Sequence, residues 1–524
     1  MSVLSAPDSG GPEAPRRARA LMVLGTTSHA GKSTIAAALC RCLARKGYAV
    51  APFKAQNMSL NSWVTPEGAE IGRAQAVQAR AAGIEPHADM NPLLLKPAGG
   101  HGMQVVALGK PIGNFTGREY YARKRDMRAL VHAAYDRLAA RFEAVVLEGA
   151  GSPAEINLRE EDLVNGSMAE YAGARCILVA DIERGGVFAS ILGTVSLLEA
   201  KHRGLLAGVL INKFRGDVSL LDSGIREIES LTGVPVLGVL PFVEGLDLEE
   251  EDSLGLDAGT GKGEDGTART DGKENAWIDI AVVRLPCMSN ATDFQPLQGL
   301  ERVRLRYASR PEEMGNPDLI LLPGSKNVRQ AAEFLRQGAL DRVLRAAADR
   351  DIPLLGICGG FQILGRRIFD PHGIEGPPGE TAGLGLLPVE TVLEREKEVC
   401  RVEAENLAFP FLEPGEICRG YEIHMGRTRA EGEGRPLLGM LSKNGFPAPG
   451  PSGFAAAASS IFGCYMHGLF EGPRIREGLF RWLCGRKGLD WPGGPETREG
   501  AAGDSLDRMA DLLEARFDPV TLLP

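Results

Sequence analysis

A cysteine in a glycine-rich turn is the residue of this sequence best suited to covalent chemistry. Cys358 follows the apolar run 354–357 and precedes Gly359 and Gly360. The pattern predicts a buried strand that turns sharply into a helix, because glycine tolerates the backbone angles of such a turn. Elbows of this kind expose a nucleophile at the carboxyl edge of a sheet, and a helix N-terminus favours the thiolate. Cys358 is therefore a candidate nucleophile.

A second glycine-rich turn, near the start of the chain, predicts a phosphate site. The apolar run 21–24 leads into a Gly-Thr-Thr-Ser-His-Ala-Gly-Lys-Ser-Thr loop, and an alanine-rich helical stretch follows. Backbone N–H groups of such a loop bind phosphates, the lysine reaches the β- and γ-phosphates, and the next hydroxyl can ligate Mg²⁺. Between its glycines the loop is one residue longer than the usual motif, but it lies between a strand and a helix as expected. The predicted ATP-binding residues are Gly25, Thr26, Gly31, Lys32, Ser33 and Thr34.

Polar residues follow three further apolar runs, and they are predicted to lie at the same carboxyl edge of the sheet as the phosphate loop. Glu148, Asp181 and Asn212 each come directly after such a run. In a doubly wound sheet, the carboxyl ends of the parallel strands border the nucleotide crevice. Glu148 is accordingly a candidate ligand, together with Ser33, for the Mg²⁺ that bridges the phosphates. Asn212 is a candidate partner for an edge of the nucleotide base, and Asp181 is a second candidate for the metal or the substrate.

The segment 52–62 combines one cation with several amides and hydroxyls directly after a predicted strand. Such a loop suits a ligand that is rich in carboxylates and carboxamides, although a polar surface loop would have a similar composition. Its candidate substrate-binding residues are Lys54, Gln56, Asn57 and Asn61.

Composition excludes several classes of protein. The 524 residues predict two or three domains, and the net charge of −9 argues against a nucleic-acid surface. Nine cysteines without a Cys-x-x-Cys pair indicate a reducing cytoplasm, not a disulfide framework or a zinc ribbon. No stretch is long and apolar enough to span a membrane. The sequence leaves the oligomeric state open.

The chain alternates apolar runs with helical stretches in two separate regions, which predicts two parallel α/β sheets. The candidate strands are 21–24, 49–53, 144–147, 176–180, 208–211 and 235–239 in the first region, and 278–284, 319–323, 353–357 and 461–466 in the second. The predicted organisation is a disordered tail at 1–20, a P-loop domain at 21–243, an acidic glycine-rich linker at 244–276, a second α/β domain at 277–486, and a linker with a C-terminal helix at 487–524.

Several segments together resemble the cobyric acid synthase family. They are 53–62, 72–75, 90–97, 148–158, 212–217 and the Ser-Asn-Ala-Thr-Asp-Phe motif at 289–294. The resemblance covers residues 20–485 and implies a dethiobiotin-synthetase-like ATP domain joined to a class I-like glutamine amidotransferase domain. It implies amidation of the b, d, e and g carboxylates of adenosylcobyrinic acid a,c-diamide, with ATP, Mg²⁺ and glutamine.

For the second domain, the resemblance implies a Cys358 nucleophile with His467 as its base. The amides of Gly324 and Gly359 could then form the oxyanion hole. Class I glutaminases place an acid two residues after the histidine, but this sequence has Leu469 there. Glu471 is the nearest acid in sequence, yet we expect a backbone carbonyl or water to orient His467 and Glu471 to matter modestly.

Three other functions are open at this stage. Cobyrinic acid a,c-diamide synthase would use the same two chemistries on other carboxylates, but the segment 56–62 resembles the first family. A MinD/ParA-like ATPase switch would carry a second lysine where this sequence has Thr27, and it has no use for Cys358. A non-catalytic binding protein would not need both Cys358 and His467.

Overall fold

The computed structural model describes residues 18–99, 102–243, 277–298, 300, 302–457, 460–493 and 501–524. The strands up to residue 243 are β1 (Arg19–Gly25), β2 (Val50–Phe53), β3 (Gln56–Met58), β4 (Ser62–Val64), β5 (Glu70–Gly72), β6 (Leu93–Pro97), β7 (Gly102–Ala107), β8 (Lys110–Thr116), β9 (Ala144–Glu148), β10 (Arg175–Asp181), β11 (Leu206–Phe214) and β12 (Val236–Pro241). The helices are α1 (Lys32–Arg45), α2 (Arg73–Ala81), α3 (Gly117–Ala122), α4 (Lys124–Ala139), α5 (Gly166–Ala172), α6 (Val187–Leu197), α7 (Ala200–Arg203) and α8 (Asp222–Thr232).

A six-stranded parallel sheet organises this N-terminal half. Its strand order is β12-β11-β10-β1-β9-β2, and every neighbouring pair is parallel. The strands are nearly continuous apolar runs because helices cover both faces of the sheet, so that each side chain is buried whichever face it takes. The loop before α1 ends at Gly31, whose φ of 101° favours glycine. The loop therefore lies at the carboxyl end of β1, as predicted.

The C-terminal half contains one seven-stranded sheet and one six-stranded sheet. Its strands are β13 (Ile278–Val283), β14 (Met288–Ser289), β15 (Val303–Ala308), β16 (Leu319–Leu322), β17 (Gly324–Ser325), β18 (Leu354–Ile357), β19 (Arg367–Asp370), β20 (Gly379–Ala382), β21 (Val389–Asn406), β22 (Ile417–Ala430), β23 (Gly434–Arg435), β24 (Leu438–Lys443), β25 (Phe446–Ser452), β26 (Phe454–Ala456) and β27 (Ile461–Cys464). Its helices are α9 (Pro311–Met314), α10 (Val328–Gln337), α11 (Leu340–Asp349), α12 (Gly359–Leu364) and α13 (Pro473–Arg486).

The first of these sheets has the order β15-β13-β16-β18-β27-β26-β23, and its first five strands are parallel. The second is built around the long antiparallel pair β21 and β22, with β24, β25, β19 and β20 beside them. All ten predicted strands are confirmed to within a few residues. The predicted tail was too long, because β1 begins at Arg19.

The last helix, α14 (Ala501–Glu514), returns to the N-terminal half and packs against α1. Its apolar residues Leu506, Met509 and Leu513 lie in the same buried cluster as the core side of α1. Arg41 of α1 donates two hydrogen bonds to Asp507, at 2.7 and 3.0 Å. The C-terminal helix therefore belongs to the core of the N-terminal half.

The predicted linker at 244–276 and the first 17 residues lie outside the described residues. Among the described residues, no helix combines the length and the apolar character that crossing a membrane requires.

Candidate active site

Cys358 sits in the predicted elbow between β18 and α12. Its φ of 53° and ψ of −108° place it in a conformation that non-glycine residues seldom adopt, which is typical of a nucleophile held at a tight turn. Gly360 is needed beside it, because a Cβ there would lie 2.0 Å from the carbonyl oxygen of Leu322. The Cys358 residue is 7% exposed, and its thiol donates to the carbonyl oxygen of Ile423 at 3.4 Å.

His467 follows β27 on the neighbouring strand, and a carboxylate orients it. Its Nδ1 donates to Oδ2 of Asp293 at 2.7 Å, and the N–H of Gly468 donates to Oδ1 of the same carboxylate at 3.0 Å. Our expectation that a backbone carbonyl or water would hold His467 was therefore wrong. Asp293 lies in a 3₁₀ turn, Ala291–Leu297, and is 174 residues away in sequence. The Glu471 carboxylate accepts a hydrogen bond from Arg73 instead, so the carboxylate that orients His467 is that of Asp293.

The charges around His467 favour an imidazolium. Burial lowers the pKa of the ring, but the nearby Asp293 carboxylate and the Cys358 sulfur outweigh burial and raise the pKa of His467 to about 10. His467 and Cys358 follow the paired strands β27 and β18, in which Cys464 lies beside Ile357, so both residues belong to the same edge of the sheet. A proton that leaves the thiol can therefore reside on the ring, which is the arrangement that activates a cysteine nucleophile.

The two glycines predicted for the oxyanion hole lie beside this pair. A Cβ on Gly359 would lie 2.8 Å from the backbone nitrogen of Ser325, and one on Gly324 would lie 3.6 Å from Cε1 of His467. The turn at Gly324 and the turn at Cys358 are thus packed against each other. Their amides as oxyanion donors stay a prediction.

The phosphate loop and the strand end at Glu148 form a second polar site. Lys32 donates to the carbonyl oxygens of Thr27 and Gly151 at 2.9 and 3.1 Å. The hydroxyl of Ser33 donates to Oε1 of Glu148 at 2.7 Å, and Lys54 donates to the same oxygen at 2.8 Å. The structure therefore brings together the loop lysine, the loop hydroxyl and the acid that the sequence singled out.

Glu148 is fully buried but keeps its charge. Burial raises its pKa, whereas the ammonium of Lys54 and hydrogen bonds from Ser33 and Gln78 outweigh burial and lower it below the ordinary value. Gln78 donates to Oε2 of this carboxylate at 2.6 Å. A buried carboxylate next to a serine hydroxyl offers the hard oxygen atoms that Mg²⁺ prefers.

Asn212 and its neighbour support the phosphate loop. The Asn212 amide nitrogen donates to the carbonyl oxygen of Ala30 at 3.0 Å. Lys213 donates to the carbonyl oxygen of His29 at 2.8 Å and to Oδ2 of Asp181 at 2.9 Å. Asp181 thus accepts from a lysine, as Glu148 does, and its role as a second candidate for the metal or the substrate stays a prediction. The contact of Asn212 with a nucleotide base stays a prediction.

A cavity of about 1030 Å³ opens beside the phosphate loop and is lined by both halves of the chain. Lys32, Lys54 and Gln56 line it from the N-terminal half, and Arg284 and Met288 line it from the C-terminal half. Further cations among its lining residues are Lys124, Arg128, Arg159 and Lys201. The acids Glu155, Glu160, Glu161, Asp162 and Glu199 line it as well, so the cavity offers a large ligand charged groups of both signs.

Two of the four predicted substrate residues do not line this cavity. Asn57 and Asn61 are buried behind the loop, where the Asn57 amide donates to Oε1 of Gln75 at 2.9 Å. The sequence shows that this segment is polar, but it does not show which polar side chains face the cavity. Lys54 and Gln56 do face it.

A two-stranded antiparallel ladder lies between the two sites. Met288 in β14 lines the cavity, and its partner Ser325 in β17 lies beside the turn at Cys358. Next along the ladder, Ser289 pairs with Gly324. The ladder thus contacts the cavity through Met288 and the turn at Cys358 through Ser325.

The sequence analysis does not assign a role to Asp293, although Asp293 lies in the motif 289–294. The signal was available, because this motif places one carboxylate among small and polar residues just after a strand. What the sequence could not show is that the 3₁₀ turn folds back onto the residue after β27.

Comparison with known families agrees with this division of the chain. Residues 21–254 match a family described as "CobQ/CobB/MinD/ParA nucleotide binding domain". Residues 279–475 match a "CobB/CobQ-like glutamine amidotransferase domain". The two matches coincide with the phosphate-loop half and with the half that carries Cys358.

Whole-length relatives give a more specific similarity. The chain is 47% identical over 513 residues to a cobyric acid synthase of Syntrophobacter fumaroxidans, with 96% of this chain and 97% of the relative covered. It is 50% identical over 506 residues to a cobyric acid synthase of Desulforudis audaxviator, with 95% and 97% covered. A probable cobyric acid synthase of Methanocella arvoryzae is 45% identical over 506 residues, with 96% and 97% covered.

Proposed function

The chain belongs to the cobyric acid synthase family, and on that premise we propose that it uses ATP and glutamine to amidate the b, d, e and g carboxylates of adenosylcobyrinic acid a,c-diamide. The observation that supports this proposal is that one chain carries both the Ser33–Glu148 contact beside the phosphate loop and the His467–Asp293 contact beside the turn at Cys358. One site has the residues for activating a carboxylate with ATP, and the other has the residues for releasing ammonia from glutamine.

In the phosphate-loop site, a substrate carboxylate attacks the γ-phosphorus of ATP and displaces ADP, which yields an acyl phosphate. Lys32 supplies a positive charge to the transferring phosphoryl group, and the loop amides bind the phosphate oxygens. Ser33 and Glu148 would hold Mg²⁺, which offsets charge on the phosphates when it is bound. Lys54 keeps Glu148 ionised and so keeps its oxygens available.

In the glutaminase site, the Cys358 thiol transfers its proton to His467 and the sulfur attacks the glutamine carboxamide carbon. Asp293 holds Nδ1 of His467, so that Nε2 faces the reaction. The C–N bond breaks as His467 returns the proton to the departing nitrogen, and ammonia leaves behind a glutamyl thioester. Water then cleaves the thioester to glutamate and free thiol. The ammonia attacks the acyl phosphate, and phosphate departs.

The volume of the cavity, the lysine and arginine side chains among its lining residues and its apolar groups support a corrinoid substrate. Leu158 and Leu197 line it and are among the exposed large apolar residues of the described chain. A corrin ring is a broad macrocycle with acidic side arms, so apolar contacts and cations would bind different parts of it. We place the reaction in the cytoplasm, because all nine cysteines are free thiols.

The second candidate is cobyrinic acid a,c-diamide synthase, because the matched domain families cover both enzymes' type of chemistry. A MinD/ParA-like switch is disfavoured by the Cys358–His467–Asp293 arrangement, which such a switch would not need.

Mass spectrometry of the corrinoid product distinguishes these functions. The enzyme is incubated with ATP, Mg²⁺, glutamine and adenosylcobyrinic acid a,c-diamide, and we expect four successive conversions of carboxylate to amide. Absence of conversion of the a,c-diamide, with conversion of the unamidated cobyrinic acid, would favour the alternative synthase.

A matched variant separates the two half-reactions. Cys358→Ala should lose amidation with glutamine and retain amidation with high external ammonium, because the thiol serves only to release ammonia. Equal loss with both nitrogen sources would contradict this assignment of Cys358.

A further inference from the structure

We propose that the long strands β21 and β22 of the C-terminal half together hold a Zn²⁺ ion through Glu398, Cys400, Glu422 and His424. These side chains carry the sulfur, nitrogen and oxygen atoms that Zn²⁺ binds in proteins. Neither the activation of a carboxylate by ATP nor the release of ammonia, as described above, uses any of them. The inference therefore does not depend on the proposed function, and metal binding tests it without turnover.

The antiparallel register of the two strands places the four residues at the corners of one square. Glu398 pairs with His424, and two positions along the ladder Cys400 pairs with Glu422. Because successive side chains of a strand point to opposite faces, all four share one face of the sheet. The alternation Glu-Val-Cys in β21 and Glu-Ile-His in β22 thus separates the ligand-type side chains from the apolar ones.

The ligand atoms lie close to the spacing that a tetrahedral site requires. One atom each of Glu398, Cys400 and Glu422 lies within 4.8 Å of the other two. Sγ of Cys400 is 3.5 Å from Oε1 of Glu398, and Nε2 of His424 is 3.6 Å from Oε2 of Glu422. Zinc bonds of about 2.0–2.3 Å at tetrahedral angles separate neighbouring ligand atoms by about 3.3–3.5 Å. Small side-chain adjustments would therefore bring the four atoms onto one ion.

The ring of His424 is oriented as a metal ligand would be. Its Nδ1 donates to the carbonyl oxygen of Gly426 at 2.8 Å, so the lone pair of the neutral ring is on Nε2. In the part of the chain that the structure describes, Nε2 is buried and has no hydrogen-bond partner, since 3.6 Å to Glu422 is too long for one. The ring is stacked on Tyr465, with centroids 3.7 Å apart. A buried nitrogen without a partner costs free energy, and a metal ion would remove that cost.

The cluster carries more negative than positive charge. Lys443 in β24 donates to Oε1 of Glu398 at 2.8 Å and to Oε2 of Glu422 at 3.4 Å. Burial lowers the pKa of Lys443, but the two carboxylates outweigh burial and raise it, so Lys443 is an ammonium. Two carboxylates thus share one positive charge, although the Glu422 side chain is only 4% exposed. The Lys443 side chain is 33% exposed and can turn toward solvent when an ion with two charges takes its place.

Zinc binding would deprotonate Cys400. Burial, together with the nearby charge of Glu422, raises the pKa of the Cys400 thiol to about 12, and the Zn–S bond forms as the thiol proton passes to solvent. Four protein ligands leave no open position, so the site is structural and not catalytic. It would connect β21 to β22 beside Ile423, whose carbonyl oxygen accepts from the Cys358 thiol at 3.4 Å.

Metal binding by the full-length protein tests the proposal. The purified chain is stripped with a chelator, dialysed against Zn²⁺ and analysed for bound metal by mass spectrometry. We expect one Zn²⁺ per chain, and Co²⁺ in its place should give the intense absorption of a thiolate-bound tetrahedral ion. A parent that retains no zinc, or a cobalt spectrum without the thiolate band, would overturn the site.

Single substitutions identify the ligands. Cys400→Ser should remove the thiolate band. His424→Gln and Glu398→Gln should each weaken Zn²⁺ binding about tenfold or more, because even residues that only support a ligand contribute that much. Glu398→Gln keeps the size of a side chain that is 42% exposed, so it tests the site even if Cys400→Ser does not fold. Parent affinity in either glutamine variant, or a thiolate band in Cys400→Ser, contradicts the proposal.

Cys418→Ser is the matched control. Cys418 is also buried in β22, four residues before Glu422, which is about 13 Å along a strand. This variant should bind Zn²⁺ as the parent does. Zn²⁺ should also raise the melting temperature of the parent and of Cys418→Ser but not that of Cys400→Ser, since a ligand stabilises only the state that binds it. An equal loss of zinc in both cysteine variants would show that the metal is held elsewhere.

Discussion

Replacing Asp293 by asparagine tests most directly whether the Asp293 carboxylate orients the catalytic His467. The parent carboxylate accepts from Nδ1 of His467 at 2.7 Å and from the N–H of Gly468 at 3.0 Å. An asparagine has only one acceptor oxygen for these two donors. If that oxygen faces Gly468, the new NH₂ group donates to Nδ1, and the proton of the ring is forced onto Nε2. His467 could then no longer accept the Cys358 proton.

A lower and an upper limit can be given for the loss of glutamine hydrolysis in Asp293→Asn. A hydrogen bond to a charged group contributes about 1.5–3 kcal/mol, and each 1.4 kcal/mol changes a rate about tenfold. Loss of this bond alone therefore lowers glutamine hydrolysis by about 10- to 100-fold. The wrong ring tautomer costs about 10⁴-fold when the equivalent acid of a serine protease triad is changed to asparagine. We expect the reduction in the rate of glutamine hydrolysis by Asp293→Asn to lie between these limits.

The assay compares glutamate release with ammonium-driven amidation in one preparation. Glutamate release by Asp293→Asn should drop as above, whereas ammonium-driven amidation should persist because it does not use His467. Glu471→Gln is the comparison variant, since Glu471 is the nearest acid in sequence but contacts Arg73. A near-normal rate for Asp293→Asn, or an equal collapse in Glu471→Gln, would refute the assignment of Asp293 as the third member.

Three further outcomes are expected. Lys32→Ala should abolish amidation from both glutamine and ammonium while the Cys358 thiol stays reactive toward an alkylating reagent, because one electrostatic contact to a transition state contributes several kcal/mol; normal amidation would show that the loop is not the ATP site. The pKa of His467 is raised from 6.5 to about 10, so its contribution to stability is fully present below pH 6.5 and is lost as the pH rises through 10. The difference in unfolding free energy between the parent and His467→Gln should shrink over that range in denaturant titrations, and a pH-independent difference would contradict the raised pKa. Truncation before α14 removes Leu506, Met509 and Leu513 and exposes the apolar side of α1 on which they pack; because burying one such side chain contributes about 1.5–3 kcal/mol, calorimetry should show a clearly lower melting temperature of the nucleotide-binding half, and an unchanged transition would contradict this packing.

Much of the fold could be predicted because the decisive strands are buried on both faces. Continuous apolar runs such as those of β9 and β18 have few alternative structures, and glycines mark the turns after them. The long strands β21 and β22 escaped prediction because they alternate apolar residues with charged ones, such as Glu390 and Arg427, and so lack a continuous apolar run. The burial of one face supplies their stability, and only the folded chain shows that face.

The candidate site residues also differ in whether local sequence or a long-range contact determines their role. Residues at glycine-rich turns, such as Cys358 and Lys32, could be predicted because the local turn itself creates the site. Asp293 could not be assigned, because its role depends on contact with a residue 174 positions away. The same limit applies to Asn57, which is polar in sequence but turns toward Gln75 instead of the cavity.

The return of α14 to α1 gives the chain an unusual connectivity. Because both ends of the described chain pack on the nucleotide-binding half, the glutaminase half is an inserted module with two covalent tethers, one on either side of it. A module tethered twice cannot dissociate from its host, and its rotation is restricted by both connections. The local concentration of the ammonia source at the acyl phosphate is therefore independent of the enzyme concentration. The cooperation between the two sites therefore persists at very low concentrations of the protein, whereas a pair of separate subunits would lose it on dilution.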